Sequence, residues 1–253
     1  MIRQVVTRGS ETEAIDLGYG ELAPGGTVEL DGSDEAVAVV LQGEVTARAG
    51  QEPLGVAGGR TDPFAELGHA VYSPPGAPLR LVAGQEGAVV AVTSAAPGAD
   101  APGPARIIGP AEQSVATVGD GNWQRTVRTM LGPDDPASRL LVGETLNPSG
   151  NWSSYPPHKH DRQIPPEEVR LEEVYLFRVS PSGGFGVQLL YEPGSERTFM
   201  VRDGDVAVIR SGYHPVVAAP GYDLYYLWVM AGEGRQMAPR LDPEHAWVQE
   251  NGR

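Results

Sequence analysis

The feature that most constrains this fold is a series of short apolar runs, each closed by glycine or proline. The 253 residues include 33 glycines and 23 prolines, which are scattered along the chain and do not form one tract. The runs are rich in Val, Leu and Tyr, a pattern typical of strands in β-sandwiches and barrels. An all-β fold is therefore expected, with short helical pieces only at residues 10–17 and 164–171.

The chain is expected to contain two barrels. Residues 94–112 are rich in Ala, Pro and Gly, lack strand alternation and read as a linker. Each half has a strand–Gly/Pro–strand element, at 71–84 and 206–221. This internal similarity indicates a duplicated β-barrel. The predicted domains are residues 1–105 and residues 113–253.

Composition excludes several classes of function. The chain has no cysteine, which excludes disulfides, thiolate chemistry and Cys-based zinc sites. Its formal net charge of -14 disfavours nucleic acid and anionic membranes, whose phosphates require clustered Lys and Arg. No apolar run reaches the ~18 residues of a membrane helix, and the N-terminus has no signal-peptide core. A cytoplasmic protein without a nucleic-acid or membrane partner is expected.

Four of the five histidines lie in the second half of the chain, at His158, His160, His214 and His245. Residues i and i+2 of a strand point to one face, so the first two imidazoles can converge on one metal. The alternative is a pair of surface histidines beside a proline turn. An acidic strand, LEEVYLFRVS, follows, and His214 begins another strand. Three histidines and a glutamate would leave open octahedral positions for substrate oxygens, although the pattern does not decide which glutamate.

Several long segments resemble a known family. They are GNWSSYPPHKHD (150–161), LEEVYLFRV (171–179), GFGVQLLY (184–191), SGYHPVVAAPGYDLYYLWVMAG (211–232), DPEHAW (242–247) and, in the first half, GRTDPFAELGHAVYSPPG (59–76). They are similar to the 5-deoxy-glucuronate isomerases of myo-inositol catabolism, relatives of the 4-deoxy-L-threo-5-hexosulose-uronate ketol-isomerases. The resemblance implies two tandem cupin barrels (double-stranded β-helices of jelly-roll type), with one metal site in the second and none in the first.

The resemblance also implies a ligand set of His158, His160, Glu173 and His214. The glutamate follows the second histidine at a longer distance than in the usual cupin pattern, and a Glu-Val-Tyr triplet of the family matches residues 173–175. Glu172 is the competitor, which strand alternation places on the opposite face. Glu167 and Glu168 follow two prolines that favour a loop. Zinc or manganese is the expected divalent metal, and iron, nickel or cobalt is also compatible with these ligands.

The implied reaction converts 5-deoxy-D-glucuronate to 5-dehydro-2-deoxy-D-gluconate, an aldose–ketose isomerisation. Proton transfer by a general base and a metal-assisted hydride shift both stay open. Candidates for the base are Tyr175, Gln188, Tyr226 and His245. Candidates for binding the sugar acid are Lys159 and Gln188. The alternative functions are a related uronate ketol-isomerase, a cupin dioxygenase and a non-catalytic sugar-binding cupin, and any of these could form a homo-oligomer.

Three positions carry competing interpretations. Lys159 could neutralise the substrate carboxylate, but strand alternation directs it away from the metal, and a solvated lysine fits as well. Trp228 stands where the family commonly has Asn, and a structural role is expected there. His69, alone in the first half, is expected to be structural.

Overall fold

A computed structural model describes residues 1–250 of the chain. In this part the strands are β1 Ile2–Val6, β2 Ile15–Leu22, β3 Thr27–Leu30, β4 Glu35–Ala49, β5 Glu52–Gly58, β6 His69–Ser73, β7 Leu79–Ala95, β8 Arg106–Ile108, β9 Ser114–Val118, β10 Arg125–Leu131, β11 Leu140–Asn147, β12 Trp152–Ser153, β13 His158–Lys159, β14 Leu171–Ser180, β15 Gly186–Glu192, β16 Ser195–Val201, β17 Val206–Ile209, β18 Val216–Ala218, β19 Asp223–Gly232 and β20 Arg240–Leu241. Short 3-10 helices cover Pro110–Glu112 and Gly121–Trp123, and helix α1 covers Trp247–Glu250.

The all-β class is confirmed, but the two short helices expected within the chain are wrong. Residues 10–14 form turns and bends, and β2 begins at Ile15, which is buried together with Leu17 because alternate strand residues face one side. Residues 164–168 close a turn in which the Ile164 amide donates to the Glu168 carbonyl at 2.8 Å. The two prolines inside that turn lack the N–H groups that a helix would use.

The first compact unit comprises residues 1–113, 130–142 and 231–235. Its eight-stranded sheet has the order β1-β2-β7-β4-β6-β8, with β3 paired to β7 and β5 paired to β4. The long strands β4 and β7 pair antiparallel from Glu35–Ala95 to Ala49–Leu79. They bury an apolar cluster that includes Val40, Leu81 and Val90. The interior of this unit is thus filled by aliphatic side chains.

The second unit comprises residues 114–129, 143–230 and the chain from 236 onward. Its strands form a six-stranded sheet of order β17-β14-β19-β11-β10-β9, a four-stranded sheet of order β12-β18-β15-β16 and the pair β13-β20. Both units draw on segments distant in sequence. The assignment of residues 1–105 and 113–253 to separate barrels stays a prediction.

Strand β14 has buried residues on both of its faces, in keeping with the apolar run VYLF at its centre. On β19, the Trp228 indole packs against Gly143, where a Cβ atom would lie only 2.1 Å from the ring. Glycine is required at that position because any side chain would displace the indole. This packing agrees with the structural role expected for Trp228. Within the described residues, the structure contains no helix long and apolar enough to cross a membrane.

Candidate metal centre

Three side chains of the second unit converge on one point. The ligand atoms of His160, Glu173 and His214 all lie within 4.8 Å of one another. Nε2 of His160 is 3.1 Å from Oε2 of Glu173, and Nε2 of His214 is 3.3 Å from the same oxygen. The three residues are 5%, 1% and 0% exposed. Two imidazoles and a carboxylate so arranged form a group that could hold a metal ion.

The strands of the second unit bring these side chains together. Glu173 lies on β14, opposite Ile209 of β17. His160 directly follows β13, and the Leu171 amide donates to its carbonyl oxygen at 2.8 Å, which ties the residue to the start of β14. His214 lies two residues before β18, close to β15, where the Leu189 amide donates to the Pro215 carbonyl at 2.9 Å.

Backbone carbonyls orient the imidazoles. In each of the three candidate histidines, Nδ1 contacts a backbone carbonyl oxygen. The carbonyl belongs to Leu171 for His160, at 2.7 Å, to Gly212 for His214, at 3.0 Å, and to Pro156 for His158, at 3.3 Å. A carbonyl oxygen only accepts hydrogen bonds, so each Nδ1 carries the hydrogen and a neutral ring keeps its lone pair on Nε2. This is the outer-shell arrangement that fixes metal-binding histidines in one tautomer.

The cluster fits a cation on the chemistry of its donors. Nε2 of His214 is buried and has no hydrogen-bond partner in the described structure, since its approach to Glu173 does not have hydrogen-bond geometry. Such a buried group costs about 1–3 kcal/mol when it stays unpaired. Imidazole lone pairs and a carboxylate that face one another repel unless a proton or a metal ion lies between them. A divalent metal would satisfy all of them at once.

His158 lies beside this group of three but outside it. Its ring centroid is 4.9 Å from that of His214 and 6.5 Å from that of His160. The residue is partly exposed, whereas the other two imidazoles are buried. The structure therefore brings three of the four predicted ligands together and places the fourth next to them.

The charges of the cluster shift its pKa values in opposite directions. Burial, followed by the nearby His214 and His160, lowers the pKa of His158 to about 3. Burial would also lower the pKa of His160, but the hydrogen bond to Glu173 and the charge of this carboxylate outweigh it and raise that pKa. Burial would raise the pKa of Glu173, but its contacts with His160 and His214 hold it at about 2. Glu173 is therefore ionised at neutral pH.

The competing carboxylates have other partners. Oε1 of Glu172 lies 3.8 Å from Nε of Arg210. Oε1 of Glu168 accepts from the Asp161 amide at 2.8 Å and from Nζ of Lys159 at 3.2 Å. The same ammonium also donates to the carboxylate of Asp161. Neither glutamate belongs to the cluster, and Lys159 is held between two carboxylates.

Two tyrosines among the predicted candidates line the cluster. The rings of Tyr175 and Tyr226 have centroids 4.3 Å apart, and the Tyr175 ring lies 6.2 Å from that of His214. Their hydroxyls contact Oγ of Ser154, at 2.9 Å, and Oγ of Ser153. Ser154 has a φ of 50°, in the left-handed region that non-glycine residues seldom adopt. Backbone of this kind is concentrated at functional sites.

Burial and the charge of Glu173 raise the pKa of Tyr175 well above its ordinary value. Burial also raises the pKa of Tyr226, against the opposing effects of Ser153 and Arg125. Both phenols therefore stay protonated at neutral pH. They are hydrogen-bond donors or acids in this state.

The remaining two candidates, Gln188 and His245, have different surroundings. Nε2 of Gln188 donates to the carbonyls of His214, at 2.8 Å, and Pro215, at 3.2 Å, so this side chain supports the His214 segment. His245 instead lines a cavity of about 350 Å³, together with Trp152 and Tyr155, and none of the cluster residues lines that cavity. The structure does not bring His245 to the cluster.

Sequence reasoning missed three polar residues around the tyrosine pair: Ser153 and Ser154, which contact the two hydroxyls, and Arg125, which donates to the Tyr155 carbonyl. The serines directly precede the tyrosine and prolines of SSYPPHKHD, so their proximity to the histidine pair was a usable signal. Arg125 is separated from every motif considered and is one of many arginines. Its position follows from the antiparallel pairing of β10 with β9, in which Arg125 lies opposite Val118.

Comparison with known proteins identifies relatives over the whole length. A model of the KduI/IolB family matches residues 1–248. The 5-deoxy-glucuronate isomerase of Geobacillus kaustophilus is 41% identical over 234 residues, which cover 91% of this chain and 84% of the relative. The 5-deoxy-glucuronate isomerase of Bacillus licheniformis is 34% identical over 255 residues, which cover 99% of this chain and 93% of the relative.

Solved structures agree with these relatives. An IolB-like protein from Salmonella typhimurium LT2 superposes with a TM-score of 0.91 at 30% identity, covering 98% of this chain and 94% of that one. An oxalate decarboxylase of Bacillus subtilis superposes with a TM-score of 0.67 at 15% identity, covering 99% and 78%. The second likeness shows the fold alone, and it confirms the predicted cupin fold.

Proposed function

Because the chain belongs to the KduI/IolB family, we propose that it is a metal-dependent isomerase that converts 5-deoxy-D-glucuronate to 5-dehydro-2-deoxy-D-gluconate in myo-inositol catabolism. The observation that carries the metal dependence is the buried group of His160, Glu173 and His214, with the unpaired Nε2 of His214 facing it. The substrate is a small sugar acid. The cytoplasmic location and a homo-oligomeric state stay predictions of the sequence.

The proposed ligand set is His158, His160, Glu173 and His214, with zinc or manganese as the metal. When bound, the metal supplies a Lewis acid that polarises the carbonyl and hydroxyl oxygens of the substrate. The carbonyl contacts at Nδ1 keep Nε2 of each histidine available as a ligand atom. The proximity of the His158 ring to that of His214 supports its inclusion in the set.

The surrounding residues orient the substrate and exclude water. Both tyrosines keep protonated hydroxyls, and the role proposed for Oη of Tyr175, which contacts Ser154 beside the cluster, is to donate a hydrogen bond to a substrate oxygen. Such a donor favours negative charge that develops on that oxygen during the transfer of hydrogen between C1 and C2. The cluster is almost fully buried, and in such a site electrostatic interactions are stronger than in water.

The test is an NMR assay of the purified, metal-loaded protein with 5-deoxy-D-glucuronate. Loss of the C1 aldehyde and hemiacetal signals with growth of a ketone is expected for the wild type. His160→Ala should abolish conversion, and His69→Ala, a histidine of the first unit, should leave it unchanged. No conversion by the loaded wild type would contradict the isomerase function, and oxygen uptake in its place would favour a dioxygenase.

A further inference from the structure

Arg125 is a buried cation on β10 that belongs to none of the predicted binding or catalytic residues. Only 9% of the surface of this residue is exposed to solvent. Nη1 donates to the carbonyl oxygens of Trp123, at 3.2 Å, and Tyr155, at 3.0 Å. Both bonds use the same nitrogen, which leaves the donors on Nε and Nη2 available. Those two nitrogens form the edge that pairs with both oxygens of a carboxylate.

Arg125 has no acidic partner within 4 Å among residues 1–249, whose side chains the structure describes, whereas Arg128 and Arg178 of the same unit each have one. On the same strand, Arg128 has Nη1 3.5 Å from Oε2 of Glu144. On β14, Arg178, whose side chain is 17% exposed, has Nε 2.7 Å from Oδ1 of Asp203. Burying a charge without a counter-charge costs free energy, and arginine does not escape the cost by losing its proton. A ligand that carries the missing negative charge would remove this cost.

The guanidinium is linked to the tyrosine pair through residues 153–155, which contact Arg125 at one end and Tyr226 at the other. The positive charge of Arg125 lowers the pKa of Tyr226, while the negative charge of Glu173 raises it. Burial lowers the pKa of Arg125, and the nearby Tyr226 and Tyr175 oppose that effect. Oη of Tyr226 contacts Ser153, and the carbonyl that accepts from Arg125 belongs to Tyr155, two residues further along. The tyrosine pair therefore has the cation as a neighbour as well as the metal ligands.

We infer that Arg125 binds the carboxylate of the sugar acid, while the carbonyl end of the same molecule lies at the His160–Glu173–His214 group. This inference rests on the proposed function and deepens it by naming the residue that selects an acid over a neutral sugar. The guanidinium edge pairs with both carboxylate oxygens, and the tyrosines lie along the sugar chain. An open-chain uronate carries its carbonyl and its carboxylate at opposite ends, as this placement requires.

Lys159, the lysine that the sequence offers as a partner for the substrate carboxylate, is already neutralised. The ammonium of Lys159 is shared between the carboxylates of Asp161 and Glu168, and Glu168 is fully buried. A substrate carboxylate at that position would face two negative charges. Arg125 has only neutral backbone carbonyls as partners, so it alone of the two offers an unopposed positive charge.

The first experiment needs no variant. The kcat/KM of the metal-loaded wild type is measured with 5-deoxy-D-glucuronate and with 5-deoxy-D-glucose, in which a neutral CH2OH replaces the carboxylate. Loss of a charge-assisted pair in a buried site predicts that kcat/KM falls by about 100-fold for the neutral sugar. Equal values for the two sugars would overturn the inference.

The second experiment compares variants. Arg125→Gln should lose about 100-fold in kcat/KM on the acid and change less than about 3-fold on the neutral sugar, so that the discrimination disappears. Arg125→Lys should fall between, because a point charge replaces the two-pronged donor. Arg178→Gln, which removes a guanidinium that is already paired with the Asp203 carboxylate, should keep the wild-type ratio. If kcat/KM of Arg125→Gln fell by the same factor on both sugars, the residue would have only a structural role, and the inference would be overturned.

Two controls keep the outcomes separate. Metal content and circular dichroism show whether each variant folds, and if Arg125→Gln does not, Arg125→Lys and the wild-type comparison decide. If the wild type converted neither sugar, the proposed function would fail, and calorimetric titration of glucuronate and glucose into the metal-loaded protein would still test Arg125. Preference for glucuronate that Arg125→Lys weakens would support the inference, and equal binding of both sugars would overturn it.

Discussion

His160 and Leu171 hold each other through two hydrogen bonds. Nδ1 of His160 donates to the Leu171 carbonyl at 2.7 Å, and the Leu171 amide donates back to the His160 carbonyl at 2.8 Å. The imidazole is thereby locked to the first residue of β14, two positions before Glu173. Its Nε2 faces the carboxylate as a consequence of strand register, and the cluster is preorganised before any ligand arrives.

The two adjacent glutamates of β14 offer a matched pair of substitutions. Glu173→Gln removes the carboxylate of the cluster and should weaken metal binding by more than about 100-fold, beyond the range of outer-shell changes. Glu172→Gln should keep the metal, since its carboxylate lies 3.8 Å from Arg210 and outside the cluster. Metal content after dialysis and calorimetric metal titration measure both effects. Equal metal loss in the two variants would contradict the assignment of Glu173.

Gln188 should act through His214. Its amide holds the His214 and Pro215 carbonyls, so Gln188→Leu should loosen that segment and weaken metal binding by about 10-fold while the ligands themselves stay in place. Gln113→Leu is the control, because Gln113 also donates to a backbone carbonyl, that of Gly68, but in the first unit. Metal titration of both variants provides the measurement. Unchanged affinity in Gln188→Leu would show that the amide has no positioning role.

His69 should make the first unit sensitive to acid. Burial, and then the charge of Arg60, lowers its pKa, against the opposing charge of Glu112. A histidine with a lowered folded-state pKa binds its proton more readily when unfolded, so its stabilising contribution is complete above about pH 6.5 and falls below it. Denaturant unfolding at about pH 7.5 and about pH 5.5 should therefore show a smaller loss of free energy of unfolding in His69→Gln than in the wild type. Identical losses would contradict this.

The strand pattern and the histidine spacing are local properties, and for this reason the sequence predicts them well. Short Val/Leu/Tyr runs between turn residues predict the all-β class, and the resemblance of the 150–161 and 171–179 segments favours Glu173 over Glu172 as the metal ligand. The convergence of His160, Glu173 and His214 on one point follows from the same segments once β13, β14 and β18 are assembled.

Other features depend on contacts between distant parts of the chain. The position of Arg125 beside the tyrosines follows from β10 within its sheet, and no motif marks it. The pairing of Lys159 with Glu168 depends on the turn at residues 164–168. A helix was expected there, but the two prolines of the turn lack the N–H groups that a helix needs. His245 lies in a matching segment, yet the chain after β20 places it at a cavity lined by Trp152 and Tyr155 and not in the cluster itself.

The most direct test of the central claim is the stepwise return of metal to protein stripped by a chelator, with isomerisation of 5-deoxy-D-glucuronate followed by NMR. The cluster predicts no conversion in the stripped protein, a linear rise as Zn²⁺ or Mn²⁺ is added, and a break at one equivalent per chain. His160→Ala should show no such break. Full activity in the stripped protein would contradict a metal-dependent isomerase built on His160, Glu173 and His214.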